Sequence, residues 1–306
     1  MPRPSPPRYN LEAQSGKSAR GIASRWLQEK VKLEERLHKD LSKMSTKIRR
    51  TIIGAYMRGG MDGVSIALAG EPFKMTDMFL QMMLVSHVVG YQIMLDRMEF
   101  YSRLHMATEA TKAMKRIIRV GAALDPARLD ALREYYLREA VAAKTSVLGA
   151  VETQLAASSG NLAEVRASLD MVGIAKHKPY LLNTVVRTQI HLGFAAGRME
   201  VLQQPIIQEK MWGFEYVGIM DARIRPEHAA LDGVRLPKDD SRWNEIMPPN
   251  GYNCRCDVVE IWKEDDNANV QNVPAERELE DGTVLKPGAD KGWDFHPGEL
   301  VGLKVA

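Results

Sequence analysis

The stretch PPNGYNCRCDVV, residues 248–259, holds both cysteines of this 306-residue chain, Cys254 and Cys256. Asn250-Gly251 after two prolines is a strong turn signal, because asparagine and glycine tolerate positive φ and proline fixes the approach. The run CRCDVVEIW, residues 254–262, is rich in β-formers and predicts a strand. Alternate residues of a strand share a face, so the two thiols are expected side by side.

The segments around this stretch predict a compact module over residues 212–262. FEYVGIM, residues 214–220, predicts a first strand, and SRWNEIM, residues 241–247, a short helical turn. We expect Trp243 to lie under the PPNG turn as an apolar anchor, with Leu231 beside it. Two further segments read as loops: GVRLPKDD at 233–240, and DGTVLKPG at 281–288, which is a hairpin or a loop.

The chain before this module predicts helices and no strand up to about residue 205. One apolar stripe recurs in steps of three and four, as on one face of an α-helix: Leu33, Leu37, Leu41, Met44, Ile48 and Ile52. Glycines and a proline within residues 59–74 break this helix, and helical patterns resume over roughly 76–119 and 126–157.

These patterns together predict an α+β fold, with a mostly helical N-terminal body followed by a small α+β C-terminal module. We expect a flexible arm at residues 1–15, which are rich in proline and serine, and a helical domain at 16–205. The module and an acidic tail then occupy residues 206–306.

The net charge of +3 conceals a strong asymmetry along the chain. Residues 1–60 carry 14 Lys and Arg against 5 Asp and Glu, whereas residues 257–306 carry 5 against 12. A basic helix face could contact nucleic-acid phosphates or an acidic partner, although charged faces are more often merely solvated. The candidate nucleic-acid-binding residues are Lys32, Lys39, Lys43, Lys47, Arg49 and Arg50.

One segment is apolar enough to suggest a membrane span. Residues 78–95 are about the right length, but polar side chains such as Gln81 and His87 interrupt them, which favours a buried core helix. No membrane partner is therefore expected. The two cysteines and the proline-rich start, which no apolar run follows, indicate folding in a reducing compartment and no secretion signal.

Three structural interpretations fit the paired cysteines. A disulfide would be strained, because residues two apart in a strand place their Cα atoms at the outer edge of disulfide reach, about 6.6 Å. A tetrahedral zinc site would join Cys254 and Cys256 to His228 and to Asp221 or Asp232, although CxC spacing is less usual than CxxC. The plain alternative is that the cysteines pack as small apolar residues while His228 bonds locally.

A catalytic interpretation is also open. His228 could act as a general acid or base while Arg223 and Arg225 stabilise a phosphate, as in a small ribonuclease. Its weakness is the lack of a second titrating group with a clear role.

An ordered set of motifs resembles a known family. The pattern D-x-R-x-R-x-x-H-A-A-L-D-G at 221–233, then Trp243, then PPNGYNCRC at 248–256, is similar to the signature of the phage Mu F-like head morphogenesis proteins, also called minor capsid proteins. The helical segment at 183–199 and GWDFHPG at 292–298 are similar to what flanks that signature. The residues of this pattern that we interpret as shaping the module are Asp232, Gly233, Trp243, Pro249, Asn250, Gly251 and Asn253.

The resemblance implies a minor capsid protein that acts in head assembly near the portal, without enzymatic turnover. Its partners would be the portal protein, a capsid or scaffolding protein, and double-stranded DNA bound non-specifically through the basic helix. Its location would be the capsid interior, and the host cytoplasm during assembly. The alternative is a toxin-like nuclease or transferase that uses His228, Arg223 and Arg225. The family does not settle the role of the histidine and cysteines, so the zinc site rests on spacing alone.

Overall fold

A computed structural model describes residues 19–299 apart from 71–74, 106–125, 158–160, 175–179, 264, 266 and 294. The arm predicted for residues 1–15 lies outside this part of the chain. Six helices come first: α1 (Ala19–Ala69), α2 (Met75–His105), α3 (Pro126–Ala156), α4 (Leu162–Met171), α5 (Tyr180–Leu202) and α6 (Pro205–Lys210). The smaller elements follow: β1 (Met211–Val217), α7 (Pro226–Ala229), β2 (Arg235–Pro237), α8 (Trp243–Ile246), β3 (Asp257–Trp262), β4 (Arg277–Glu278) and β5 (Val284–Leu285). The predicted α+β class is confirmed.

A three-stranded antiparallel sheet forms the centre of the C-terminal part, in the order β2, β1, β3. The two predicted strands are present as β1 and β3, and the hairpin is present as β4 and β5. The loop prediction for residues 233–240 is wrong at β2, because three residues with one buried side chain are too short to show a strand period. A Cβ on Gly213 would lie 2.0 Å from the Leu236 oxygen, so β1 needs glycine where β2 approaches.

The long helix α1 changes direction at the predicted break. Gly59 and Gly60 leave helical geometry, and Gly60 takes a positive φ of 58°, which glycine adopts at little cost. Residues after the kink fold back, since a Cβ on Gly63 would lie 2.6 Å from the Ala55 oxygen. Leu33, Ile48 and Ile52 of the predicted stripe are buried. The side chains of Leu37 and Leu41 lie outside the described part.

Helices α2 and α5 cross with their backbones in close contact. A Cβ on Gly90 of α2 would lie 2.2 Å from the Phe194 oxygen, and one on Gly197 of α5 would lie 2.1 Å from the His87 oxygen. Among the described helices, α2 alone contains a stretch long and apolar enough to cross a membrane, Met75–Met98. The apolar part of this stretch is 56% buried inside the protein. This burial is the environment that the sequence predicts for residues 78–95.

The module shares a hydrophobic core with the ends of three helices. Trp26 of α1, Met94 of α2 and Phe194 of α5 pack in one buried cluster with Tyr216 and Trp243 of the C-terminal part. A second cluster lies within the helices, from Leu33 to Ala196. The boundary between residues 205 and 206 stays a prediction, and this core joins the two sides of it.

Candidate functional site

The PPNG turn is held by one buried amide. The Asn250 side chain donates to the Ile246 carbonyl at 3.0 Å and to the Tyr216 hydroxyl at 3.2 Å. The peptide bond between Pro248 and Pro249 is cis. A Cβ on Gly251 would lie 2.0 Å from an Asp290 oxygen, so any other residue there would have to displace that carboxylate. Three of the residues predicted to shape the module therefore set the path of the chain into the cysteines.

Asn253 fastens the turn to helix α5. It has a positive φ of 59°, a conformation that asparagine tolerates better than most residues. Its backbone N–H donates to the Thr188 hydroxyl, and its side-chain amide donates to the Thr184 hydroxyl, each at 3.1 Å. Arg187 donates to its side-chain oxygen at 3.3 Å. One residue thus joins the cysteine stretch to three positions of α5.

The histidine loop is shaped by the end of the LDG motif. Asp232 accepts a hydrogen bond from the Gly218 amide at 2.8 Å, and Gly233, with φ of 82°, donates to the Tyr216 carbonyl at 2.9 Å. These bonds set the path of the chain between β1 and β2, the connection that carries α7 and His228. His228 is 1% exposed.

Trp243 packs against β1 and β2. Its indole N–H donates to the Pro237 carbonyl at 2.9 Å, and its ring meets Phe214 edge-on at 5.6 Å. Trp243 and Leu231 belong to the same buried cluster. An edge-on aromatic pair stabilises by about 1 kcal/mol beyond its buried area.

His228, Cys254 and Cys256 come together as one buried cluster. One ligand atom from each, a ring nitrogen and two sulfurs, all lie within 4.8 Å of one another. Both cysteines are free and almost fully buried. They precede β3 instead of starting it, because the strand begins at Asp257. The predicted meeting of the histidine loop and the thiols is therefore present, while metal binding stays a prediction.

Asp221, the fourth predicted ligand, lies outside this cluster. Its two oxygens accept hydrogen bonds from the Arg255 guanidinium at 2.6 and 2.7 Å, and Arg223 adds another at 3.3 Å. The Arg255 contact holds the pKa of this carboxyl well below its usual range, although burial opposes the shift. Asp221 thus orients Arg255, the residue between the two cysteines, and we leave it out of the candidate ligand set. Asp232, the other acid considered, bonds to Gly218 as described above.

Asp290 is the acid that lies beside the cluster, and sequence reasoning missed it. One of its oxygens is 3.4 Å from Nε2 of His228 and the other is 3.4 Å from Arg225. The Tyr252 ring meets Trp293 edge-on at 5.1 Å, which brings the GWDFHPG segment against the turn. The only sequence feature that pointed to this region was the similarity of GWDFHPG to the segment that follows the signature in the family.

Burial and hydrogen bonding perturb the protons of the cluster. The pKa of Cys254 lies well below its ordinary value because Cys256 and His228 bond to its sulfur, although burial raises it. The pKa of Cys256 lies well above its ordinary value, mainly through the same bond to Cys254 and through burial. For His228, burial lowers the pKa, but Cys254 and Asp290 outweigh it and the net shift is upward. The first thiol is thus the one most easily deprotonated.

The arrangement offers little to the catalytic interpretation. Arg223 bonds to Asp221, and Arg225 donates to the Tyr252 carbonyl at 2.7 Å. The cavity that these residues line with His228 measures about 10 Å³. That volume holds about one water molecule and no nucleotide.

A buried charged network, also missed from sequence, lies behind the cluster. Lys30 donates to Asp257 at 2.7 Å, and Arg198 bonds the same carboxylate and lies 3.4 Å from the centre of the Trp26 ring. Burial raises the pKa of Asp257, but the charges of Arg198 and Lys30 outweigh it and the pKa is lowered. Sequence periodicity cannot reveal such pairs, because each partner belongs to a different element.

His191 provides a further contact between α5 and the cluster. Its Nδ1 bonds the Cys254 carbonyl, and its Nε2 lies 3.7 Å from Glu34 of α1. Burial is the main reason that the pKa of His191 is lowered. The backbone of the first cysteine is therefore fixed against the helical body.

Three of the six predicted nucleic-acid-binding residues lie together on one surface. Lys43, Lys47 and Arg50 are exposed and line one open groove along α1. Arg49 bonds Asp170 of α4 at 2.6 Å, and its part in nucleic-acid binding stays a prediction. Lys32 is exposed and bonds Glu29 one turn earlier, and the side chain of Lys39 lies outside the described part.

Part of the chain is similar to known proteins. Residues 149–259 match the family model described as "Phage Mu protein F like protein". The chain is 27% identical over 161 residues to the "Putative capsid assembly protein F" of Escherichia phage Mu, which is 44% of this chain and 36% of that protein. It is 29% identical over 116 residues to the "Mu-like prophage FluMu F protein" of Haemophilus influenzae, which covers 37% of this chain and 27% of that protein. No solved structure matches.

The described part of the chain is thus a helical body followed by a small α+β module, and a segment that spans the two is similar to the Mu F-like family. The resemblance to the Mu F-like family is confirmed, and residues 149–259 are the segment that matches its model. That segment runs from α3 to β3 and holds the whole His228, Cys254 and Cys256 cluster. It begins earlier than the motifs suggested and ends before GWDFHPG. The match spans about a third of the length of the curated relatives.

Proposed function

We propose that this protein acts in the assembly of a phage head, as a structural protein of the capsid. Two observations carry the proposal: residues 149–259, cluster included, match the Mu F-like family model, and one similar protein is named for capsid assembly. The buried cluster and its small cavity suit a scaffold better than a substrate site. The protein would work inside the forming capsid, in the cytoplasm of the host.

We further propose that the helical body docks on the portal protein. Two helices expose apolar pairs at helical spacing, Val85 with Val88 on α2 and Leu137 with Val141 on α3. Residues three or four apart lie on one side of a helix, so each pair forms a local apolar strip. Exposed apolar strips on a protein surface are typical of contacts with partners.

A binding experiment tests this docking. The portal and major capsid proteins of the same genome would each be immobilised and incubated with the purified chain. We expect retention by the portal, and weaker retention of Val85→Lys and Leu137→Lys. Val284→Lys, an equally exposed apolar position on the β4–β5 hairpin, is the matched control and should bind normally. If neither protein retains the wild-type chain, the proposed role in assembly is wrong.

The basic groove on α1 supports a second contact, with packaged double-stranded DNA. Lys43, Lys47 and Arg50 present their charges along one side of the helix. Cations so placed attract phosphates without reading bases. We propose that this groove contacts the DNA backbone while the apolar strips face the portal.

A further inference from the structure

We infer that His228, Cys254 and Cys256 bind one structural zinc ion. Zinc bonded to thiolates at about 2.3 Å and to imidazole at about 2.0 Å places tetrahedral ligand atoms roughly 3.4–3.8 Å apart. The three ligand atoms already lie within 4.8 Å of one another. Small side-chain rotations therefore suffice to bring these three ligands to one zinc ion, and the fourth tetrahedral position is left for another group.

The burial of the cluster supports an ion at this point. Nε2 of His228 is buried and makes no hydrogen bond among the described residues, and its contact with Oδ1 of Asp290 is long, at 3.4 Å. A buried polar atom without a partner costs stability, and natural proteins rarely keep one without a reason. Two free thiols stand beside it in the same interior, so a soft cation would satisfy all three groups together.

The frame around the cluster is fixed in advance. His228 comes from the β1–β2 connection, and the cysteines come from the stretch that Asn250 and Asn253 hold in place. The first cysteine is fixed again through its carbonyl by His191. The cavity at this junction is the size of one small ion and excludes an organic ligand. Zinc would thus clamp the histidine loop to the segment that is fastened on α5.

Asp290 provides the acidic group that zinc sites commonly include. Its Oδ1 lies 3.4 Å from Nε2 of His228. A carboxylate beside a zinc-binding histidine either ligates the metal itself or orients the imidazole. Losing such a supporting acid weakens metal affinity by about 10- to 100-fold without abolishing it.

Metal analysis of the full chain, purified under reducing conditions, tests the inference. The protein would be stripped with chelator, reloaded with zinc, dialysed and measured by mass spectrometry for bound metal. We expect about one zinc per chain and a rise in Tm on reloading. Cobalt in place of zinc should give the near-ultraviolet absorption of thiolate-to-cobalt charge transfer. This spectrum needs no variant and reports on the sulfurs themselves.

Variants assign the ligands. Cys254→Ser, Cys256→Ser and His228→Gln should each lose the zinc, and Asp290→Asn should keep it at reduced affinity. His87→Gln is the matched control, because His87 is an equally buried histidine that bonds Tyr136 and Glu200 in the helical body. It should keep full zinc content even if its Tm falls. The inference is overturned if the wild-type chain holds no zinc and shows no cobalt band, or if the cysteine variants bind zinc as well as the wild type does.

Discussion

The backbone N–H of Asn253 donates a 3.1 Å hydrogen bond to the hydroxyl of Thr188, which joins the cysteine-bearing stretch to helix α5. The same helix crosses α2 through Gly197 and reaches β3 through Arg198. The C-terminal module is therefore not an appendage of the helical body. Substitutions at the cluster should therefore alter the stability of the helical body, and substitutions that disturb helix packing should alter the cluster.

Asn253 should stabilise the fold in two separable ways. Asn253→Ala loses the side-chain bonds to Thr184 and Arg187 and also places alanine at a positive φ, so we expect a loss of about 2–3 kcal/mol in the free energy of unfolding. Asn253→Gly loses the same bonds but tolerates the backbone, so its loss should be about 1 kcal/mol smaller. Chemical denaturation of both variants measures the difference. Equal losses would show that the backbone conformation contributes nothing.

The crossing of α2 and α5 depends on the absence of a side chain at Gly197. An added Cβ would lie 2.1 Å from the His87 backbone oxygen, which cannot move without shifting a helix. We expect Gly197→Ala to destabilise the protein by about 2 kcal/mol or more. Gly149→Ala, in α3 where a Cβ meets nothing within 4 Å, is the control and should stabilise by about 0.5–1 kcal/mol. Thermal unfolding of the two variants should therefore shift in opposite directions, and a shared direction would contradict the packing described.

Glu34 should make stability depend on pH in the acid range. Burial raises its pKa, but His191 at 3.7 Å and Arg187 at 2.9 Å outweigh burial, so the pKa in the folded protein is below its ordinary 4.5. A lowered folded pKa means that the stabilisation is present above pH 4.5 and is lost as the pH falls through the folded pKa. Glu34→Gln should thus be less stable than the wild type at neutral pH, and the difference should shrink below pH 4.5.

Urea denaturation at a series of pH values measures this difference. Glu35→Gln, which changes an exposed neighbour, is the control and should follow the wild type throughout. A gap between Glu34→Gln and the wild type that stays constant with pH would show that the carboxylate charge plays no part in the contact.

The basic groove should give DNA binding that weakens steeply with salt. Replacing Lys43, Lys47 and Arg50 by glutamine should lower affinity for double-stranded DNA of any sequence, and should reduce the slope of log K against log salt by about one per lost phosphate contact. The control replaces three exposed cations on other helices, Arg133, Arg138 and Arg166, and removes the same net charge. Fluorescence anisotropy with a labelled duplex gives both slopes. Equal effects of the two triple variants would show a general charge effect in place of a groove.

Local sequence signals predicted the frame of the site well. The two longer strands follow from residue patterns within short segments. The turn predicted at Asn250-Gly251 lies slightly later, where Cys254 donates to the Gly251 carbonyl and Asn253 takes the positive φ. The glycine kink at Gly59 and Gly60 follows from the same kind of signal.

The parts that sequence reasoning missed depend on contacts between distant elements. Arg49 lies on the same helix as Lys43 and Lys47, but it forms an ion pair with Asp170 of α4. Asp221 has the residue type of a ligand, yet Arg255 engages both of its oxygens. The buried Arg198 looks like a surface residue until Asp257 and Trp26 surround it. Such pairs form between residues that are distant in sequence, so they produce no periodic pattern in the sequence.

Incorporation into phage heads is the most direct test of a role in head assembly. The portal and major capsid proteins of the same genome would be co-expressed with the chain, and the assembled heads would be separated by sedimentation and analysed by quantitative mass spectrometry. We expect the chain to travel with the heads in a few copies each, and only when the portal is present. Heads that form normally while the chain remains entirely in the soluble fraction would contradict a role in head assembly.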